Sequence, residues 1–142
     1  IVGAAERGSD YAEELRRSGA GNSGIIFTGF QTGRTLQQLF ANAYIYVHPS
    51  ITEGLSVSIL EAMAAARCAL VSDIPGNLEP IDHSGITFAS GDPADLAEKM
   101  QELLNHPDLV EERGKRGRAW VAKEYDWDRI ASETEALYRK IH

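Results

Sequence analysis

Two carboxylates eight positions apart, Glu53 and Glu61, frame the stretch of this chain most able to do chemistry, Pro49-Ser50-Ile51-Thr52-Glu53-Gly54-Leu55-Ser56-Val57-Ser58-Ile59-Leu60-Glu61-Ala62-Met63-Ala64. Glu53 lies in a loop in which Gly54 lets the backbone turn sharply. Ser56 is an N-cap candidate and Val57 the first helical residue. Ile59, Leu60, Ala62, Met63 and Ala64 are apolar nearly all round, which predicts a buried helix. A helix opening from such a loop points free N–H groups forward, and these attract phosphate. Glu61 falls roughly 6 Å further along the axis at about 1.5 Å per residue. That is near the span from a diphosphate to the ribose of the same nucleotide, and a carboxylate accepts two bonds from a vicinal diol. Glu53, on the far side of the phosphates, suits the hydroxyls of a sugar carried there. Taken singly, each Glu also fits an ordinary solvated acid. The pair is different, because a carboxylate inside an apolar helix needs a partner.

The surrounding elements must bring these residues to one edge. Ile1–Ala4 reads as a strand end, and Ser9 as the cap of a helix to about Arg17, with Tyr11, Ala12 and Leu15 inward. Gly24-Ile25-Ile26-Phe27 is a continuous apolar run of the kind found in a doubly covered parallel strand. Thr35–Ala43 has helical spacing, with Leu36, Leu39 and Phe40 on one face. Tyr44–Val47 reads as a strand stopped at His48-Pro49, followed by the helix from Val57 to about Arg67 and a strand at Ala69–Val71. Asp73–Asn77 reads as a loop and Ile86–Phe88 as a short strand. Helices are predicted from Pro93 to Asn105, Leu109 to Glu124, and Trp127 to Ile141, the last with Ile130, Leu137 and Tyr138 on its apolar side. Strands alternating with helices predict an α/β fold, a Rossmann-like parallel sheet with helices on both faces. Ligands bind such sheets at the carboxyl ends of the strands. The loops at 29–31, 48–56 and 73–77 are all expected there.

The 43% hydrophobic and 25% charged content is that of a globular domain, and 142 residues suffice for one core. A net charge of −7 argues against a nucleic-acid partner. No apolar run reaches membrane-spanning length and no signal peptide is visible, while a single cysteine, Cys68, excludes an internal disulfide and reads as packing. These features fit a cytoplasmic protein. Ile1-Val2-Gly3 in place of a starting Met makes the chain read as a segment of something longer. Gly29–Thr35 echoes a P-loop but is one residue short with Arg34 where Lys is needed. His48, His83, His106 and His142 are scattered without metal-ligand spacing, and His48 reads as a strand-end residue. Glu111-Glu112-Arg113 and Lys115-Arg116 read as solvated faces.

The run from Pro49 to Glu79 resembles the donor-binding signature of the group 1 retaining glycosyltransferases, the enzymes of two Rossmann-like domains (the GT-B architecture) related to glycogen synthase, sucrose synthase and bacterial mannosyltransferases. The matching features are Glu53 and Glu61 with seven residues between, then Glu61-Ala62-Met63-Ala64, Ala69-Leu70-Val71, Ser72-Asp73, Gly76 and Glu79. The resemblance implies that residues 1–142 are the C-terminal sugar-nucleotide-binding domain, without its first strand and helix, and that an N-terminal acceptor domain lies elsewhere. By position, Glu53 would bind the donor sugar as the catalytic-site carboxylate. Gly54, Leu55, Ser56 and Val57 would face sugar and diphosphate, Glu61 the ribose, and Gly29-Phe30 the base. The implied substrate is a nucleotide-diphosphate sugar, transferred to a sugar, glycan or lipid-linked acceptor with retention and with neither metal nor cofactor. Peripheral contact of the full-length enzyme with the inner face of the membrane follows from the same resemblance. Ser56 and Ala66 stand where relatives often have Gly, and Cys68 where Pro is common. The Arg and Lys that neutralise the diphosphate in relatives would precede Ile1, and Arg34 is the nearest substitute by position. The competing reading is a non-catalytic module that keeps the fold for partner binding.

Overall fold

The computed structural model describes residues 1–4, 10–82 and 84–141, and the chain divides into two units, Ile1–Leu39 and Phe40–His142. The second unit holds the sheet. Strands β1 (Ile45–His48), β2 (Cys68–Ser72) and β3 (Ile86–Phe88) are parallel and lie in the order β1-β2-β3. Val47 pairs with Leu70, and Val71 with Thr87. Between and after them run helices α3 (Val57–Ala64), α4 (Pro75–Ile81), α5 (Pro93–Asn105), α6 (Pro107–Glu124) and α7 (Trp127–Ile141).

β2 is buried at every position, as the middle strand of a covered parallel sheet must be. Its side chains alternate between two cores. Ala69 and Val71 pack with Ile59 and Met63 of α3 and Ile81 of α4. Cys68 and Leu70 pack with Phe88, Leu103 of α5 and Val110 of α6. Both faces of the sheet are therefore covered by helices, in agreement with the α/β, Rossmann-like expectation. The 18-residue α6 contributes to both cores, through Val110 and Leu109 near its start and Trp120 and Val121 near its end.

Several boundaries differ from the sequence expectation. α3 ends at Ala64 rather than near Arg67, and Ala66 takes a left-handed φ of 59°. The reason is α6: a Cβ on Gly114 would sit 2.3 Å from the Ala66 carbonyl oxygen, so the two backbones meet here. Arg67 secures the turn, donating from Nε to the Ala65 carbonyl and from a terminal nitrogen to that of Ala43, at 2.9 and 3.0 Å. Residues 75–77, expected in a loop, open the short helix α4. Pro75 stands in its first turn, where a missing N–H costs nothing. Pro80 lies inside it, and its carbonyl accepts from Trp120 Nε1 at 3.1 Å. Arg113 also departs from expectation: it is half-buried, whereas Glu111, Glu112, Lys115 and Arg116 are exposed. In α7 no residue is buried, and Leu137 and Tyr138, expected inward, are exposed. Among the described residues no helix is long and apolar enough to cross a membrane.

The first unit contains α1 (Asp10–Gly19) and the start of α2 (Gly33–Asn42), whose Phe40 is buried as its spacing predicts. Ser9, the expected cap of α1, lies outside the described residues. Ala12 and Leu15 are half-buried, but Tyr11, expected inward, is exposed. The strand expected at Gly24–Phe27 is not formed. Residues 1–3 run beside residues 26–29 through one isolated parallel bridge, Val2 to Gly29. Gly3 N–H donates to the Gly29 carbonyl at 2.9 Å, and Thr28 N–H donates to the Ile1 carbonyl at 3.0 Å. Among the described residues of this unit no second ladder covers the run, and Ile26 is 67% exposed.

Candidate functional site

The loop 49–56 leaves the carboxyl end of β1 and enters α3, which places Glu53 at the sheet edge where ligands bind. α4 presses on it from the end of β2. A Cβ on Gly76 would lie 2.3 Å from the Glu53 carbonyl oxygen and 2.4 Å from that of Gly54, so only glycine allows this approach. Ser72 Oγ donates to the Ser50 carbonyl. Asn77, fully buried, donates from Nδ2 to the Ser72 carbonyl at 3.1 Å and to Ser72 Oγ at 2.9 Å, while its Oδ1 has no hydrogen-bond partner among the described residues. The loop is thus braced from β2 and α4 before any ligand arrives.

Side chains then fix Glu53. Its Oε1 accepts from Ser50 Oγ at 2.8 Å and lies 3.0 Å from His48 Nε2. Both contacts fall on Oε1. They hold the carboxyl below its ordinary range, the Ser50 bond most, with burial opposing and the His48 bond and charge assisting. His48 is the last residue of β1, and its Nδ1 lies 3.0 Å from the Tyr46 hydroxyl. Tyr46 donates to Ser58 Oγ at 2.8 Å, and Ser58 Oγ is 3.0 Å from Ser56 Oγ. Burial pushes the Tyr46 phenol up, Ser58 opposes, and the charges of Glu53 and Glu61 add to the rise. The Tyr46 ring stacks on His48 at 5.9 Å between centroids and meets Phe40 edge-on at 5.6 Å.

Ser56 occupies the N-cap position of α3 with extended backbone, as expected, but its side chain makes no capping bond. Its hydroxyl turns inward, to Ser58 and toward His48 Nε2 at 3.3 Å, and the residue is buried. The amino end of α3 is therefore closed by no side chain of its own cap. Gly54, Leu55 and Val57 surround it and are exposed. α3 is buried on one side only: Ile59, Ala62 and Met63 face the core. Glu61 is on the exposed side, so the expected buried carboxylate is instead open to solvent. Gly29 and Phe30 belong to the first unit, Gly29 with φ of 69° and Phe30 73% exposed. Cys68 fits its packing role, since burial pushes its thiol up to about 11 against the weaker pull of Arg113. Among the described residues no three His, Cys, Asp or Glu side chains group as a metal site.

Tyr46, His48, Ser50 and Ser58 were not singled out by spacing alone. One signal was available: residues 46 and 48 of a strand share a face, so two polar rings there needed a common partner. Chemically, the group supplies an ionised, oriented carboxylate beside an open helix start. That suits binding of hydroxyls next to a phosphate.

A family model described as glycosyl transferases group 1 matches residues 1–106. An uncharacterised glycosyltransferase of Methanocaldococcus jannaschii is 33% identical over 132 residues, 92% of this chain and 34% of that protein. Sucrose-phosphate synthase of Thermosynechococcus elongatus superposes with a TM-score of 0.86 at 26% identity, over 99% of this chain and 37% of that one. HepE of Anabaena, solved in complex with UDP and glucose, gives a TM-score of 0.89 at 21% identity, over 98% and 39%. The chain spans about a third of the length of the curated relatives it matches.

Proposed function

The chain belongs to the group 1 glycosyl transferases, and on that premise we propose that it is the donor-binding, C-terminal domain of a glycosyltransferase that moves a sugar, with retention, from a nucleotide-diphosphate sugar to an acceptor. The observation that carries this reading is the oriented Glu53 carboxylate lying just ahead of the uncapped start of α3. In this reading Glu53 accepts from hydroxyls of the donor sugar. The backbone at Gly54, Leu55, Ser56 and Val57 faces sugar and diphosphate. Glu61, one turn further on the exposed side of α3, takes the ribose hydroxyls, and Gly29-Phe30 meets the base. The helix N–H groups stabilise the diphosphate as it leaves, without a metal. The complex of HepE with UDP and glucose supports a nucleotide sugar as the ligand class. The acceptor is held by a further domain.

The test is made on the full-length protein. Glu53→Ala lowers turnover without unfolding it, and Glu61→Ala raises the donor KM. Undiminished transfer by Glu53→Ala would sink the role given to Glu53.

A further inference from the structure

Around Glu53 the hydrogen-bond donors can be counted. Ser50 has one hydroxyl proton and donates it to Glu53 Oε1 at 2.8 Å. Toward His48 Nε2, 2.9 Å away, Ser50 Oγ can then only accept. Glu53 Oε1, 3.0 Å from the same nitrogen, is a carboxylate oxygen and also accepts. These two acceptors lie closer to the nitrogen than Ser56 Oγ at 3.3 Å, and they place a proton on it, so Nε2 is an N–H shared between them. On the other side of the ring, Tyr46 donates its proton to Ser58 Oγ at 2.8 Å. Its oxygen lies 3.0 Å from Nδ1. Both ring nitrogens are therefore engaged, Nδ1 by Tyr46 and Nε2 by Ser50 and Glu53.

We propose that His48 is a positioning residue for Glu53: Tyr46 fixes the ring at Nδ1, and Nε2–H turns the carboxylate by its Oε1, so that Oε2 is the oxygen offered to a ligand hydroxyl. The proposal rests on the reading of Glu53 as the donor-sugar carboxylate. It explains why two polar rings stack, half-buried, on one strand face, with Tyr46 against His48 and Ser58 and His48 against Glu53. It also separates the two contacts on Oε1. Ser50 belongs to the loop, whereas His48 belongs to β1, whose Val47 and His48 pair with Leu70 and Val71 of the buried β2. Among the described residues only His48 ties the carboxylate directly to the sheet. The titratable groups around the ring are Glu53 on the loop and Tyr46 on β1, with Glu61 on α3 acting through Tyr46.

The experiment follows the Glu53 carboxyl carbon by NMR in the whole chain, in wild type, His48→Phe and His48→Gln, and records the ring nitrogens of His48 in wild type. The proposal predicts a proton on Nε2 throughout the range in which Glu53 is ionised. Phe moves the Glu53 midpoint up, and Gln, which keeps a neutral N–H donor, returns part of that shift. A structural role alone would not be rescued in this order. A bare Nε2, or a Glu53 midpoint unmoved by Phe, overturns the proposal. Should the Phe variant fail to fold, Tyr46→Phe removes the oxygen that meets Nδ1 and Ser58 and leaves Nε2 and Glu53 in place. It is expected to move the midpoint the same way by less, and no movement overturns the proposal. In the full-length protein His48→Phe is expected to lower donor kcat/KM about ten-fold, the scale of one hydrogen bond to a charged group. Glu53→Gln with undiminished donor affinity would instead overturn the reading of Glu53, and with it the ligand half of the proposal, while the titration result stood.

Discussion

Residues 68–72 and 25–28 are both short stretches led by apolar side chains, yet they end in opposite states. The first is β2, paired on both edges and buried throughout. The second joins no ladder among the described residues: Thr28 bonds to Ile1, the isolated bridge falls beside it at Gly29, and Ile26 is left exposed. Apolar content is thus a demand for cover, and the ladders on either side decide whether it is met. β2 has β1 and β3, and α3 and α4 over one face with α5 and α6 over the other. The same cover makes the site possible, because the loop that carries Glu53 is braced by Ser72 at the end of β2 and Gly76 in α4.

The largest effect should come from setting these two stretches against each other. Leu70→Ala is expected to destabilise the chain by about 2–5 kcal/mol, the range for a buried leucine that leaves a cavity. Ile26→Ala should stay within about 0.5 kcal/mol, as an exposed side chain does. Denaturant unfolding measures both, and equal losses would break the comparison. Next comes Gly76→Ala, whose methyl must displace the Glu53 and Gly54 carbonyls. A cost of about 1–3 kcal/mol is expected. Amide shifts should spread over residues 50–56, and shifts confined to α4 would show that the loop is not braced there.

A smaller effect concerns acid. The Glu53 carboxyl is held below its ordinary value of 4.5, chiefly by Ser50. A depressed carboxyl contributes stability that is present above 4.5 and lost as pH falls through its lower folded value. Ser50→Ala should therefore cost stability above 4.5 and converge on wild type as pH falls through the lower folded value. A difference that persists unchanged into acid would contradict this assignment. Smallest is Lys115→Ala on the exposed face of α6, where the pair with Glu111 is screened by water and unfolding should be nearly unchanged.

Much of the second unit was legible because its signals are local. The run Ala69-Leu70-Val71, the Pro93 start of α5 and the switch from Ser56 to Val57 at α3 each carry their own instruction. α4 was not legible, since Pro75-Gly76 and Pro80 mark a turn in sequence. Its glycine is there for contact with a loop some twenty residues earlier. Likewise the Ile25–Phe27 run reads as a strand by composition, but its pairing depends on chain far away. At the site, Glu53, Glu61 and the helix start were visible in the Glu spacing and the Ser56 cap position. The partners of Glu53 were not, because Tyr46, His48 and Ser58 meet only when β1 and α3 pack. Glu61 was placed in the correct helix but on the wrong kind of surface, as α3 is apolar in composition and one-sided in burial.

The measurement that bears most directly on the account is a titration of the chain with UDP, GDP and ADP, followed through its backbone amides. The account predicts selective shifts at residues 53–58 and 61 with one of the three, and none along α7. No response from any of them at millimolar concentration, or shifts that avoid the start of α3, would contradict it.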